Sequence, residues 1–325
     1  MVEKRSLFVF ALVVAVIVLI VAVMFLPKSI ESEKVRFGTV PGITPSAIFF
    51  VALDQGYFAE QGIEIEVYNF SATNEIHAAL LSGDIDIETI TGFPTMIASE
   101  IRSPEQFKAI GLIMETPEQP YSYTVVAINS SFTTLSDLSK ATIGIPPGSN
   151  WKMWSGKIAK VNNWTNVTFV PVNYNLQLAA LDSRSVDAIV STEPFHASAV
   201  VTGIGRVVQN HTRGAVMKYA PVGAIMAISN KFSSKNQAKV KKIIAAFESA
   251  EQFIARNETE AKRIYGRYTN LDEKIAVAST LPLLKMKISE REIEQVQQLV
   301  DLLYAEGEIS KPYNATRLYF TTSWK

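Results

Sequence analysis

The sequence predicts an α/β protein of two lobes, each a mostly parallel sheet flanked by helices. Three observations carry that prediction. Strand-like and helix-like segments alternate from Val35 to Gln209, the pattern of parallel strands joined by helical crossovers. The phrase AALLSGDIDI at Ala78–Ile87 returns as AALDSRSVDAI at Ala179–Ile189. Each copy ends a helix, turns, and starts a strand with Asp just inside it, as two similar lobes would show. From Lys235 onward the chain is mostly helical, so those helices must pack on sheets already built.

Each element has a local reason. Val35–Val40 reads as the first strand. Ser46–Gln61 reads as a helix, with Ala47, Phe50, Val51 and Phe58 at turn spacing. Gly62 tolerates the left-handed turn into a second strand, Ile63–Phe70, and Tyr57 and Phe58 should cover the sheet. Asn74–Ser82 is a helix closed by Gly83, Ile85–Thr91 a strand, Pro94–Ile101 a helix with Pro in its first turn, and Phe107–Met114 a strand. A second run with the same rhythm begins at YSYTVVAINS. It gives a short helix at Leu135–Leu138, then strand Ala141–Ile145, helix Ser149–Val161, strand Val167–Val172, helix Asn175–Leu181, strand Val186–Ser191, helix Pro194–Val201 and strand Gly205–Gln209. VGAIMAIS, Val222–Ser229, is a further apolar strand. Helices follow at Lys235–Arg256, Glu258–Tyr268, Leu271–Leu281 and Ser289–Glu306, with no strand expected between them.

Composition narrows the function. The chain has 325 residues, which fits two ordinary domains and an appendage. Its 31 Lys+Arg balance 31 Asp+Glu, so no basic field invites nucleic acid. There is no cysteine, which removes thiol catalysis, cysteine zinc sites, disulfides and a lipid-modified cysteine anchor. Leu7–Leu26 is an uncharged apolar run behind Lys4 and Arg5. At about 1.5 Å per residue it spans a hydrocarbon core of about 30 Å, and the basic pair favours the N-terminus inside. Without a small-residue cleavage site, a retained anchor at residues 1–26 is preferred over a cleaved signal. Residues 27–34 read as a stalk. Asn-x-Ser/Thr occurs at Asn69, Asn129, Asn163, Asn166, Asn210, Asn257 and Asn314; chance would give about two, so an exported, glycosylated chain is expected.

Open parallel sheets bind ligands beyond the carboxyl ends of their strands, where helices begin. The first lobe offers Thr44, Pro45 and Ser46, then Thr91, Gly92 and Phe93. The second offers Gly148, Ser149, Asn150 and Trp151, then Asn173, Tyr174 and Asn175, then Ser191, Thr192 and Glu193. Amides at helix starts favour an anionic group, although Ser46, Ser149 and Asn175 serve equally as plain helix caps. From these, the expected ligand set is Thr44, Ser46, Thr91, Gly92, Phe93, Ser149, Asn150, Trp151, Asn175, Ser191 and Glu193. Glu193 could meet an ammonium or a donor group. Trp151, Phe93, Tyr123 and Phe195 could form an apolar wall. Lys152 is the one cation placed near the mouth, and a solvated surface lysine is the plainer reading. Of the histidines, His77 reads as packed or surface, His196 could approach the crevice, and His211 reads as exposed. No metal-ligand spacing, Gly-rich phosphate loop or serine triad is seen, so neither cofactor nor catalysis is expected.

Four stretches resemble a known family. TPSAIFFVALDQGYFAEQGIEIEV, HAALLSGDIDIETITGFP, IGIPPGSN and QLAALDSRSVDAIVSTEPF are similar to the corresponding steps of ABC transporter substrate-binding proteins. The branch is the one handling nitrate, sulfonates, taurine, bicarbonate and thiamine-precursor pyrimidines, within the type II periplasmic-binding-protein superfamily. Ser183-Arg184 departs from it by replacing the usual glycine. The resemblance implies two hinged lobes, lobe I at residues 35–120 plus 222–325 and lobe II at 121–221, crossed near Glu118–Tyr123 and Ala220–Gly223. It also implies a small anionic or zwitterionic solute in the cleft, permease and ATPase partners, and a monomer tethered outside the cytosol. Enzymes on related folds, of menaquinone- or pyrimidine-pathway type, are the rival implication.

Overall fold

Two sheets organise the chain. The structure, a computed structural model, describes residues 34–216 and 222–319. The expected anchor at 1–26, nearly all of the stalk, and residues 217–221 of the second crossing lie outside the described residues. Among the described residues, no helix is long and apolar enough to cross a membrane.

The elements run in this order: β1 (Val35–Thr39), α1 (Ala47–Asp54), α2 (Tyr57–Glu60), β2 (Ile65–Asn69), α3 (Thr73–Ser82), β3 (Ile87–Gly92), α4 (Phe93–Arg102) and β4 (Phe107–Met114). The chain then crosses to β5 (Ser122–Ala127), β6 (Thr142–Ile145), α5 (Ser149–Val161), β7 (Thr168–Pro171), α6 (Gln177–Asp182), β8 (Ala188–Thr192), α7 (Phe195–Val201) and β9 (Gly205–Asn210). It returns through β10 (Val222–Ser229), α8 (Asn230–Lys235), α9 (Gln237–Arg256), α10 (Glu258–Thr269), α11 (Glu273–Ala278), β11 (Leu283–Lys285) and α12 (Glu290–Ala305).

The first sheet has the order β11-β4-β10-β3-β1-β2, and the second β7-β6-β8-β5-β9. Reversing the second shows the shared plan: β9-β5-β8-β6-β7 matches β4-β10-β3-β1-β2. Both sheets are mixed, which corrects the mostly parallel expectation. β1 pairs parallel with β2 and β3, but β10 runs antiparallel between β3 and β4. Likewise β6 pairs parallel with β7 and β8, while β5 runs antiparallel between β8 and β9. β5 and β10 are the first strands after each crossing. Each enters from the opposite end of its sheet, so each must run against its neighbours. β10 is buried throughout, as its unbroken apolar run requires.

The repeated Asp has a repeated task. Asp86 precedes β3, and its Oδ2 accepts the Arg36 N–H of β1 at 3.0 Å. Asp187 precedes β8, and its Oδ2 accepts the Thr142 N–H of β6 at 2.7 Å. In each sheet the carboxylate satisfies a backbone donor at the start of the neighbouring parallel strand, which fixes register. Gly83 turns the first copy with φ +86°; in the second copy the equivalent Arg184 takes φ +57°. That left-handed backbone costs a side-chain-bearing residue about 1 kcal/mol.

Two other expectations change. The helix expected at Ser46–Gln61 is two helices, because Gly56 takes φ +74° and ends α1. Phe58 still faces the core as expected, its ring 5.1 Å from Phe37 and 5.3 Å from Phe247. The strand-free C-terminal run contains β11, three residues paired antiparallel with β4. α9 buries Val240, Ile243, Ile244, Phe247, Ala250 and Ile254, the stripe a surface helix needs.

Candidate functional site

The strand ends and both crossings converge on one small cavity between the sheets. Ile43, Pro45, Thr73, Ile90 and Gly92 line it from the first sheet's side. Asn150, Trp151, Tyr174 and Thr192 line it from the second, and Tyr121, Arg213, Gly223 and Ala224 from the crossings and the start of β10. It encloses about 20 Å³, room for about one water molecule. Its two sides are in contact. A Cβ at Gly92 would lie 2.6 Å from the Asn150 Cγ, so only glycine allows this approach. The Thr44 N–H donates to the Glu193 carbonyl at 3.2 Å. Further out, the Tyr123 hydroxyl meets Thr280 Oγ1 at 3.3 Å, and Lys157 pairs with Glu306.

Arg213 is the centre of this site. It sits in a single 3-10 turn, Thr212–Ala215, on the second crossing, and is 2% exposed. Among the described residues it is the only charged side chain in the cavity wall. Its guanidinium lies 4.4 Å from the Tyr121 ring centroid and 5.6 Å from that of Trp151. Nε donates to Glu115 Oε1 at 2.8 Å. Nη2 is buried without a hydrogen-bond partner of good geometry, and so are Asn150 Oδ1, Tyr121 OH and Thr192 Oγ1. Buried polar atoms without partners are costly.

Glu115 follows β4 and opens the first crossing, fully buried. Its carboxylate accepts from the Ser122 hydroxyl at 2.7 Å and from the Ser122 and Tyr121 amides at 3.0 and 3.3 Å. Ser122 Oγ in turn accepts the Arg213 N–H at 3.1 Å. Burial alone would raise the Glu115 pKa, but Arg213, His211 and Ser122 hold it down at about 2. Burial works against the Arg213 charge, yet Glu115 and Tyr121 raise its pKa. The pair therefore stays ionised and ties the two crossings together. Tyr174, which accepts from Trp151 Nε1 at 2.9 Å, is pushed up to about 12 by burial.

Of the residues expected from sequence, Gly92, Asn150 and Trp151 stand in the cavity wall, and Ser149 is the first residue of α5. The others are placed elsewhere. Ser46 donates to the Val40 carbonyl at 2.7 Å, and Thr91 to Glu88 Oε2 at 2.6 Å. Ser191 donates to Gln177 Oε1 at 2.5 Å. Phe93 is wholly in the core, Thr44 is buried, and Asn175 is exposed. Glu193 spends its carboxylate on internal partners. Oε1 takes the Thr280 N–H at 3.1 Å and faces His196 Nδ1 at 2.9 Å, while Oε2 takes the Ala197 N–H at 3.1 Å. Lys152 is exposed. Tyr123 stacks on His196 with centroids 3.9 Å apart, and Phe195 on Tyr174 at 5.4 Å. His77 is packed, its Nδ1 3.2 Å from both Glu88 oxygens. His211, expected exposed, is half-buried with Nδ1 3.6 Å from Glu115 Oε2. Sequence reading missed Arg213, Glu115 and Tyr121. The available signal was their position: each lies in a segment joining the two runs of strands.

Comparison with known proteins identifies the family and the fold. A protein-family model described as NMT1/THI5 like matches residues 43–261, more than half of the chain, and the chain belongs to that family. No curated protein matches it. Among solved structures, the alkanesulfonate-binding protein SsuA from Xanthomonas axonopodis pv. citri, bound to MOPS, aligns with TM-score 0.71 at 16% identity. That alignment covers 90% of this chain and 99% of that one. The periplasmic aliphatic sulphonate-binding protein SsuA from Escherichia coli aligns with TM-score 0.69 at 18% identity, over 89% and 98%. The periplasmic nitrate-binding protein NrtA from Synechocystis PCC 6803 aligns with TM-score 0.67 at 12% identity, over 88% and 84%. At such identities the likeness establishes the fold, which is that of the periplasmic binding proteins.

Proposed function

We propose that this protein is the extracytoplasmic solute-binding component of an ABC importer. In this reading it captures a small anionic or zwitterionic solute, sulfonate-, nitrate- or taurine-like, between two lobes and hands it to the permease. The observation that carries the reading is the Arg213 cavity, which residues of both sides line and in whose wall four buried polar atoms of the 121–221 side stand without a partner. An acceptor-rich headgroup would satisfy Arg213 Nη2 and the Tyr121 and Thr192 hydroxyls. The first amides of α4 and α5, which start at Phe93 and Ser149, would add to it. Lobe I comprises 35–120 with 222–325, and lobe II 121–221. Because the closed cavity holds about one water, the solute enters with the lobes parted. Contacts to both lobes then favour the closed form.

The importer reading includes the N-terminal anchor, permease and ATPase partners, and a monomeric state. It also includes glycans. All seven sequon asparagines are exposed, and glycopeptide mass spectrometry of native protein should find modified ones. Trp151, Tyr174 and Tyr121 around the same cavity favour a flat heteroaromatic solute, such as a thiamine-precursor pyrimidine, as the second reading. A thermal-shift screen over nitrate, taurine, other sulfonates, bicarbonate and pyrimidines tests both. One class should raise Tm in the parent protein and fail to do so in Arg213→Met. No shift with any of them would overturn the reading.

A further inference from the structure

We infer that Glu115 sets the net charge of the binding cavity and thereby selects a solute with no net charge. Such a solute presents a sulfonate- or carboxylate-type group to Arg213 and carries its own positive charge. The inference rests on the solute-binding reading above and deepens it. Arg213 is the only charged side chain in the wall among the described residues, and taken alone it would favour a plain anion. It is not alone. Glu115, fully buried behind it, takes Nε at 2.8 Å and cancels its charge. The carboxylate cannot swing away, because two backbone amides and the Ser122 hydroxyl hold it.

A monoanion on Nη2 would therefore leave one uncompensated negative charge in a small, largely buried space, one guanidinium away from Glu115. At an effective dielectric of about 20 that repulsion is worth about tenfold or more in affinity. A zwitterion brings no net charge. Its cationic end has an acceptor waiting in Asn150 Oδ1, which is buried without a partner, and the Trp151 ring beside it. Glu115 lies behind Arg213 and outside the wall, so it acts through the arginine.

Taurine and isethionate test this directly. Both are two-carbon sulfonates of nearly equal size, one ending in an ammonium and the other in a hydroxyl. Titration calorimetry on the full chain at pH 7 should show the parent binding taurine at least about tenfold more tightly. Glu115→Gln should shift the ratio about tenfold toward isethionate. Ser122→Ala, which removes a hydrogen bond but no charge, should leave the ratio unchanged. Should Glu115→Gln fail to fold, the parent's own ratio still decides. Isethionate binding as well as taurine, or a taurine preference that persists in Glu115→Gln, would overturn the charge rule alone. Binding of neither would instead remove the sulfonate class from the solute-binding reading, and the charge rule with it.

Discussion

Arg213→Met removes the guanidinium while keeping an unbranched apolar stem. Glu115 is then left fully buried with its hydrogen bonds and His211 3.6 Å away, but without the guanidinium that pairs with it. Removing one partner of a buried ion pair costs about 3–5 kcal/mol. The linkage argument gives a similar figure. The Glu115 pKa falls from 4.5 to about 2 on folding, which at about 1.4 kcal/mol per unit is worth roughly 3 kcal/mol. Because the folded pKa is depressed, that stabilisation is complete above the unfolded value and is lost as pH falls toward about 2. In Arg213→Met the desolvated carboxyl takes up a proton instead, so neutral pH penalises the variant most. Urea unfolding followed by tryptophan fluorescence should show a loss of about 4 kcal/mol at pH 7, shrinking by about half at pH 4. Glu115→Gln in the Arg213→Met background should recover part of it. A variant as stable as the parent at pH 7, or a loss that does not change with pH, would refute the reasoning.

Two further perturbations test separate links. Gly92→Val places methyl groups where Asn150 packs. Small-angle scattering should then report a larger radius of gyration than the parent, and the screen's best solute should bind at least about tenfold more weakly; unchanged dimensions would count against the contact. Arg184→Gly relieves the left-handed backbone at φ +57°. After the added flexibility of the unfolded chain, a net gain of about 0.5 kcal/mol is expected by urea unfolding, and a loss would contradict it.

Much of the fold was legible because it depends on local signals. Strand and helix periodicities, Pro94 at a helix start, and Gly62 and Gly83 at turns each act within a few residues. The repeated Asp was legible as a motif, and its task explains why it repeats. The antiparallel insertion of β5 and β10 was not legible, because nothing inside either strand states which end of the sheet it enters from. Gly56 was missed because apolar spacing runs on through Phe58 and hides the break. The wall residues Gly92, Asn150 and Trp151 follow from looking at strand ends. Arg213 does not, since its partner Glu115 is 98 residues away and only the paired crossings bring them together. Glu193 drew attention as a carboxylate beside the crevice. Its charge is absorbed by Thr280, Ala197 and His196, the first of them 87 residues away.

The most direct measurement is a crystal structure grown with whichever solute gives the largest thermal shift. Density should lie between the two sheets, with an acceptor atom within hydrogen-bonding distance of Arg213 Nη2 in lobe II and contacts to Pro45 or Gly92 in lobe I. Solute bound elsewhere, with Nη2 still unengaged, would contradict the central claim.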